Sequence, residues 1–141
     1  MEASYFTTCL CASALLLLAG SAANAACTNA TLVGAYGILE QGQFIGGGFS
    51  EFRAVGELTF DGKGKGTRSS TIWYSTLEIA VEGANPISYA VQPDCTFTWT
   101  YVNGETYTGV IVSGGQKAFY LETSNGDPMR TGQAERVRGG Q

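Results

Sequence analysis

The chain has 141 residues, of which 14% are charged and 11% aromatic, with 20 Gly, no His and a formal net charge of −4. That length suits one domain, and the low charge with high apolar content is the opposite of a disordered chain. The basic residues, Arg53, Lys63, Lys65, Arg68, Lys117, Arg130, Arg136 and Arg138, are scattered, so there is no basic face for nucleic acid.

The N-terminus reads as an export signal. Leu10 to Ala19 is a short apolar run, too short to span a bilayer as a helix, and Ala23-Asn24-Ala25 is a small-x-small cleavage pattern. The expected signal peptide is residues 1–25, and residues 26–141 form the mature domain. Glu2 stands where a basic residue is usual. Twelve acidic residues less Glu2, against eight basic, leave the mature chain three negative. It keeps two cysteines, Cys27 and Cys95. In an exported chain these are expected to form one disulfide, worth roughly 4 kcal/mol by chain entropy. Membrane insertion is not expected, and the oligomeric state is open.

The first strand is expected over Thr31 to Glu40, with Leu32, Tyr36 and Ile38 on one face. Gln41 to Ser50, with Gly46-Gly47-Gly48, reads as a loop. Glu51 to Phe60 is the second strand, with Ala54, Leu58 and Phe60 alternating against Val55, Glu57 and Thr59. Asp61-Gly62 turns the chain. Thr67 to Ile79 is the third strand, with Ile72 and Tyr74 opposite Trp73 and Leu77. Val81 to Pro86 breaks the alternation, and Glu78 to Pro86 could be a crossing connection. Ile87 to Gln92 is the fourth strand, with Ile87, Tyr89 and Val91 on one face and Ser88, Ala90 and Gln92 on the other.

Cys95 to Val112 carries the clearest pattern. Phe97, Trp99 and Tyr101 alternate with Thr96, Thr98 and Thr100, the period of a strand with one buried face. Asn103-Gly104 predicts a type I′ turn into a return strand over Thr106 to Val112. Ser113 to Gln116 turns again, Ala118 to Thr123 is the seventh strand, Asn125-Gly126 and Pro128 turn, and Met129 to Val137 is the eighth. Arg138 to Gln141 is a frayed tail. The expected fold is all-β, an antiparallel up-and-down barrel of about eight strands, since closure removes exposed edges.

The run Cys27…Leu32-Val33-Gly34-Ala35-Tyr36 resembles the opening of calycin-type barrels. In lipocalins and avidins a first strand with a Gly-x-Trp or Gly-x-Tyr element closes one end. The series Gly56 to Gly62, with Tyr89-Ala90-Val91 before Asp94-Cys95-Thr96, is similar to a broad group of small exported bacterial proteins. Their nearest described fold is the calycin-like or allene-oxide-cyclase-like barrel. The resemblance implies a barrel over residues 27–137 and carries over no catalytic residue. It does not say which basic residue packs behind the first-strand aromatic.

The absence of His excludes a Ser-His-Asp or Cys-His site and any His-based metal centre. Lys63 and Lys65 stand where a calcium loop from Asp61 would need oxygen ligands. No metal or other cofactor is implied. Glu40 and Glu122 are candidate general bases, because a carboxylate in an apolar barrel can have a raised pKa; Glu57 is expected to face outward. Tyr36, Trp73, Tyr89, Trp99 and Tyr120, with Tyr101 and Tyr107, could line a ligand cavity or fill the core of a narrow barrel. Asn29-Ala30-Thr31 is a glycosylation sequon. Three functions are compatible: a secreted or periplasmic barrel binding a small apolar ligand, a cofactor-independent cyclase or isomerase using the same cavity, and a filled barrel acting through its surface.

Overall fold

The computed structural model describes residues 26–44, 50–75, 79–124 and 129–137. Eight strands form one closed antiparallel barrel in sequence order. They are β1 (Val33–Phe44), β2 (Ser50–Asp61), β3 (Lys65–Tyr74), β4 (Ile79–Val91), β5 (Thr96–Tyr101), β6 (Thr106–Val112), β7 (Lys117–Glu122) and β8 (Met129–Arg136). Each strand pairs with the next, and β8 returns to β1, with Ile38 opposite Ala134. The expected all-β up-and-down barrel is therefore the fold found. Among the described residues no helix is long and apolar enough to cross a membrane. The expected signal peptide, Gly46 to Gly48, Leu77, Asn125-Gly126 with Pro128, and the tail from Arg138 lie outside the described residues.

Four details differ from the expectation. The third strand ends at Tyr74, and Ile79, expected within it, opens β4 and pairs back with Trp73. Gln41 to Phe44 belong to β1 rather than to a loop. They pair on both sides, Gln41 with Arg53 and with Thr131. Glu78 to Pro86 is not a crossing connection: β4 runs through Ile79–Val91. A bulge opposite Arg68 and Ser70 shifts its register, and an extra residue in one strand flips which side chains face inward. Glu82 lies inward before the bulge, and Ile87 and Tyr89 after it, which explains the broken alternation. Asn103-Gly104 is not a type I′ pair. Gly104 N–H donates to Tyr101 O at 3.0 Å, so Val102 and Asn103 are the central residues. Gly104, at φ 91°, is the only one of the turn residues with a positive φ, the arrangement of a turn followed by a glycine bulge.

The interior is packed with rings. Three of the aromatic residues paired with glycines lie over them: Phe52 over Gly42, Phe97 over Gly109 and Tyr120 over Gly132. A Cβ at any of these glycines would lie only 2.5–2.6 Å from the facing ring. The glycines thus leave room for rings to lie across the strand, which lets a narrow barrel hold large side chains. Trp99 stacks on Tyr107, its cross-strand partner, at 4.0 Å between centroids.

One end of the barrel is sealed by the N-terminal segment. Cys27 and Cys95 form the expected disulfide, with Cα atoms 4.9 Å apart. A short turn at Asn29–Thr31 lies over the barrel end, and Leu32 is completely buried. The Tyr89 hydroxyl is 3.0 Å from both Asn29 O and Leu32 O. Tyr36 donates its hydroxyl proton to Gly115 O at 2.7 Å and accepts from Arg136 Nη2 at 2.8 Å. The Arg136 guanidinium also lies 5.3 Å from the Tyr36 ring centre. Arg136 is thus the basic residue behind the first-strand aromatic.

Candidate functional site

The opposite end is built from charge. Residues of even number on β1 and β3 face inward, which carries the apolar row Tyr36 and Ile38 on to Glu40, and the row Tyr74 and Ile72 back to Ser70 and Arg68. Both Glu40, 1% exposed, and Arg68, 0% exposed, are fully buried. An unpaired charge at such depth would cost several kcal/mol, and the two satisfy each other. Arg68 Nη2 pairs with Glu40 Oε2, and Nε donates to Oε1 at 3.3 Å. Tyr120 donates its hydroxyl proton to Glu40 Oε1 at 2.7 Å. Arg68 Nη1 reaches Glu82 Oε2 at 2.8 Å, and Ser70 donates to the same oxygen at 2.9 Å. The bulge in β4 is what turns Glu82 inward to complete this chain.

A second cluster lies beside the first. Arg130 of β8 is 8% exposed, with its guanidinium 4.9 Å from the Phe52 ring centre and its Nη1 3.6 Å from Glu105 Oε1. Tyr107 donates its hydroxyl proton to Glu105. Glu122 faces inward opposite Tyr107, and Ser124 donates to its Oε1 at 2.9 Å. Among the described residues, three buried side-chain polar atoms have no partner: Trp99 Nε1, Arg130 Nε and Glu122 Oε2. Buried polar atoms in folded proteins nearly always have a partner.

The fields agree with the geometry. Burial pushes the Tyr120 phenol well up, and the neighbouring Glu40 charge pushes it further. Burial likewise raises Tyr107 and Tyr101, against the opposing pull of Arg130 and Arg68 respectively. Tyr120 and Tyr107 spend those protons on Glu40 and Glu105. For Arg68, burial acts to lower the pKa, but the charge and hydrogen bond of Glu40 outweigh it and the net shift is upward. Glu122 is raised, chiefly by burial, with its hydrogen bond from Ser124 opposing.

Above this floor lies a cleft of about 380 Å³, lined by Glu82, Pro86, Tyr101, Val102, Glu105 and Arg130, together with Asn85 and Asn103. That volume is at the lower end for small-molecule sites, ~300–1,000 Å³. Among the described residues no cluster of His, Cys, Asp or Glu is placed to hold a metal ion.

The residues expected to form a site divide. Tyr36 and Tyr89 are buried at the disulfide end, in contact with Phe60 and the N-terminal segment. Trp99 and Tyr120 are buried beneath the cleft, in edge-to-face contact at 5.8 Å. Trp73 faces outward and is 41% exposed. Glu40 is buried in its ion pair, Glu122 is half-buried near Arg130, and Glu57 is exposed. Sequence reasoning missed Arg68, Glu82, Glu105 and Arg130. A signal was present for two of them. Arg68 shares parity with Ile72, and Arg130 shares parity with Ala134. Glu82 was hidden by the bulge.

No protein-family model matches the chain, and neither does any curated protein. A search of solved structures finds a de novo designed fluorescence-activating β-barrel, 13% identical, with a TM-score of 0.44 over 76% of this chain and 94% of that one.

Proposed function

We propose that the protein is an exported barrel that binds a small molecule at its cleft end. The observation that carries this reading is Arg130. It is buried at the base of a cleft, its ion pair to Glu105 is long, and its Nε has no partner. A bound molecule reaches this loose pair from the cleft that Arg130 and Glu105 both line. The ligand rests against Tyr101 on the cleft wall rather than deep in the barrel, where Tyr36, Phe60 and Tyr89 pack on one another. An apolar body suits Pro86 and Val102 on the cleft wall. Export is supported by the apolar run before Ala23-Asn24-Ala25 and by the disulfide, since disulfides persist in oxidising compartments. The calycin-like kinship is supported by Gly34-Ala35-Tyr36 together with Arg136 over the Tyr36 ring. In the cyclase or isomerase alternative Glu122 is better placed than Glu40, whose two oxygens are already bonded to Arg68 and Tyr120.

A second reading, a filled barrel acting through its surface, is favoured by the outer face. Val55, Leu39, Gln133, Phe119 and Val110 lie in one cross-strand row without a charge. Native mass spectrometry of the mature chain from its own host decides between the two. A co-purifying small molecule at unit stoichiometry supports binding. A clean apo mass, with Trp99 fluorescence unmoved by extracts of the same host, sinks it in favour of the surface reading.

A further inference from the structure

We infer that the cleft receives a short extended peptide, which adds a strand to the free edge of β4 and directs a Lys or Arg side chain into the barrel mouth. The inference rests on the binding reading above and names the class of molecule bound. β4 has 13 residues, whereas β5, β6 and β7 have 6, 7 and 6, so the wall is cut away on one side of the cleft end. β4 pairs with β3 from Ile79 to Ser88 but with β5 only from Ile87 to Val91. Ile79 to Pro86 therefore has a neighbouring strand on one side only, and among the described residues its main chain makes no hydrogen bond outside the sheet. No other run of that length in the described barrel is paired on one side alone. Main-chain N–H and C=O groups of a strand are directed alternately to its two sides. This run thus presents a row of unpaired donors and acceptors, the template that an added strand uses.

The free edge and the cleft are continuous. Glu82, Asn85 and Pro86 of β4 form one wall of the cleft, and the β5–β6 turn forms the other through Tyr101, Val102 and Glu105. Lysine or proline within an edge strand is a usual protection against pairing, and Ile79 to Glu82 holds neither. The bulge and Pro86 come after it, beside the cleft. The side chains along the edge state what an added strand should carry. Ile79 and Val81 face outward, 69% and 78% exposed, and suit apolar residues opposite them. Glu82 faces inward. Its Oε2 is taken by Arg68 and Ser70, and its Oε1 accepts no hydrogen bond among the described residues. Of the three charged side chains lining the cleft, the exposed ones are the carboxylates, Glu82 at 36% and Glu105 at 24%, against 8% for Arg130. A cation opposite Glu82 is therefore favoured over an anion. A second copy of the chain matches less well. Antiparallel pairing of two β4 edges about Val81 sets Glu82 against Ala80 and brings no cation to the carboxylates.

The test titrates the full mature chain, oxidised, with the peptide acetyl-Lys-Val-Thr-Val-Lys-amide, whose pattern reads the same in either strand direction. The heat of binding is expected to saturate below about 1 mM. The same peptide with Glu in place of both Lys should bind about tenfold more weakly. N-methylation of both Val and N-methylation of the central Thr should differ, one abolishing binding and the other sparing it, because only alternate N–H groups face β4. Val81→Lys puts a charge on the exposed edge and should weaken the parent peptide about tenfold, with the near-ultraviolet circular dichroism unchanged. Amide exchange should slow at alternate positions between Ile79 and Asn85 when the peptide is bound. Equal binding of the two N-methyl peptides, or full affinity in Val81→Lys, would overturn strand addition. Tighter binding of the Glu peptide would overturn the basic side chain. Dimerisation of the chain alone that Val81→Lys abolishes, with no peptide bound, would give the edge to a second copy and overturn the proposal. If no peptide binds while a small molecule co-purifies from the host, the peptide reading fails and the binding reading stands. If nothing binds and the native mass is clean, both fail.

Discussion

The two ends of the barrel use the same residue types for opposite purposes. At the disulfide end, Tyr36, Tyr89 and Arg136 spend their polar atoms on backbone carbonyls and on one another. That end is sealed. At the cleft end, Tyr107, Tyr120, Arg68 and Arg130 address carboxylates, and among the described residues three buried side-chain polar atoms are left without partners. A basic group bonded to main chain is a clamp. The same groups bonded to carboxylates form a charged layer beneath a cleft.

Mutations at matched positions should break this contrast in graded steps. Arg68→Met strands the Glu40 carboxylate and should destabilise by about 3–5 kcal/mol, read as a fall in the urea midpoint. Replacing both, as Arg68→Met with Glu40→Leu, should recover most of that loss; if it does not, packing rather than charge holds the layer. Removing the disulfide, by Cys27→Ser with Cys95→Ser, should cost about 4 kcal/mol through the freed loop. That change should leave the Trp99–Tyr107 stack at the other end unmoved once the protein is folded, read as an unchanged near-ultraviolet circular dichroism spectrum. Gly132→Ala drives a methyl into the Tyr120 ring and should cost about 1–3 kcal/mol by overpacking. It should also displace the phenol from Glu40, visible as a change in tyrosine absorbance on titration with base. Tyr36→Phe should cost about 1 kcal/mol and leave the cleft untouched.

The smallest change expected is at Glu122. Its folded pKa is raised, so the folded state takes up a proton more readily than the unfolded chain. The stabilisation from that proton is present at acid pH and is lost as pH rises through the folded pKa. Glu122→Gln should therefore raise the melting temperature modestly at pH 7 and have no effect below the carboxylate range. A variant that melts lower at pH 7 would show that Glu122 is held by partners rather than strained by burial.

Much of the barrel is legible in the chain. Phe97-x-Trp99-x-Tyr101, the Asp61-Gly62 turn and the Leu58-x-Phe60 run each declare a strand or a hairpin from local pattern alone. The cleft end is less legible because its inward residues are polar. Gln41 to Phe44 resemble a loop, since Gly42 contributes space for Phe52 rather than an apolar side chain of its own. Arg68 and Arg130 look like ordinary surface cations until their parity with Ile72 and Ala134 is followed to the end of the strand. Glu82 could not be placed by parity at all, because the β4 bulge changes the phase between it and Ile87. Trp73 shows the converse: an aromatic residue on the odd face of β3 sits outside with the solvent.

The seam between β1 and β8 has a consequence for how the protein is made. Every other strand pair joins neighbours in sequence, whereas Tyr36 must find Arg136, a hundred residues later. Local hairpins form early, and a contact of that span forms late. As the chain folds, β1 therefore carries an unpaired edge until the last strand docks, a template for pairing with another chain. Cys27 and Cys95, separated by 68 residues, can join before that moment. The covalent link then anchors the N-terminal segment at one end while the seam is still open, which shortens the interval in which a nascent barrel can pair with the wrong partner.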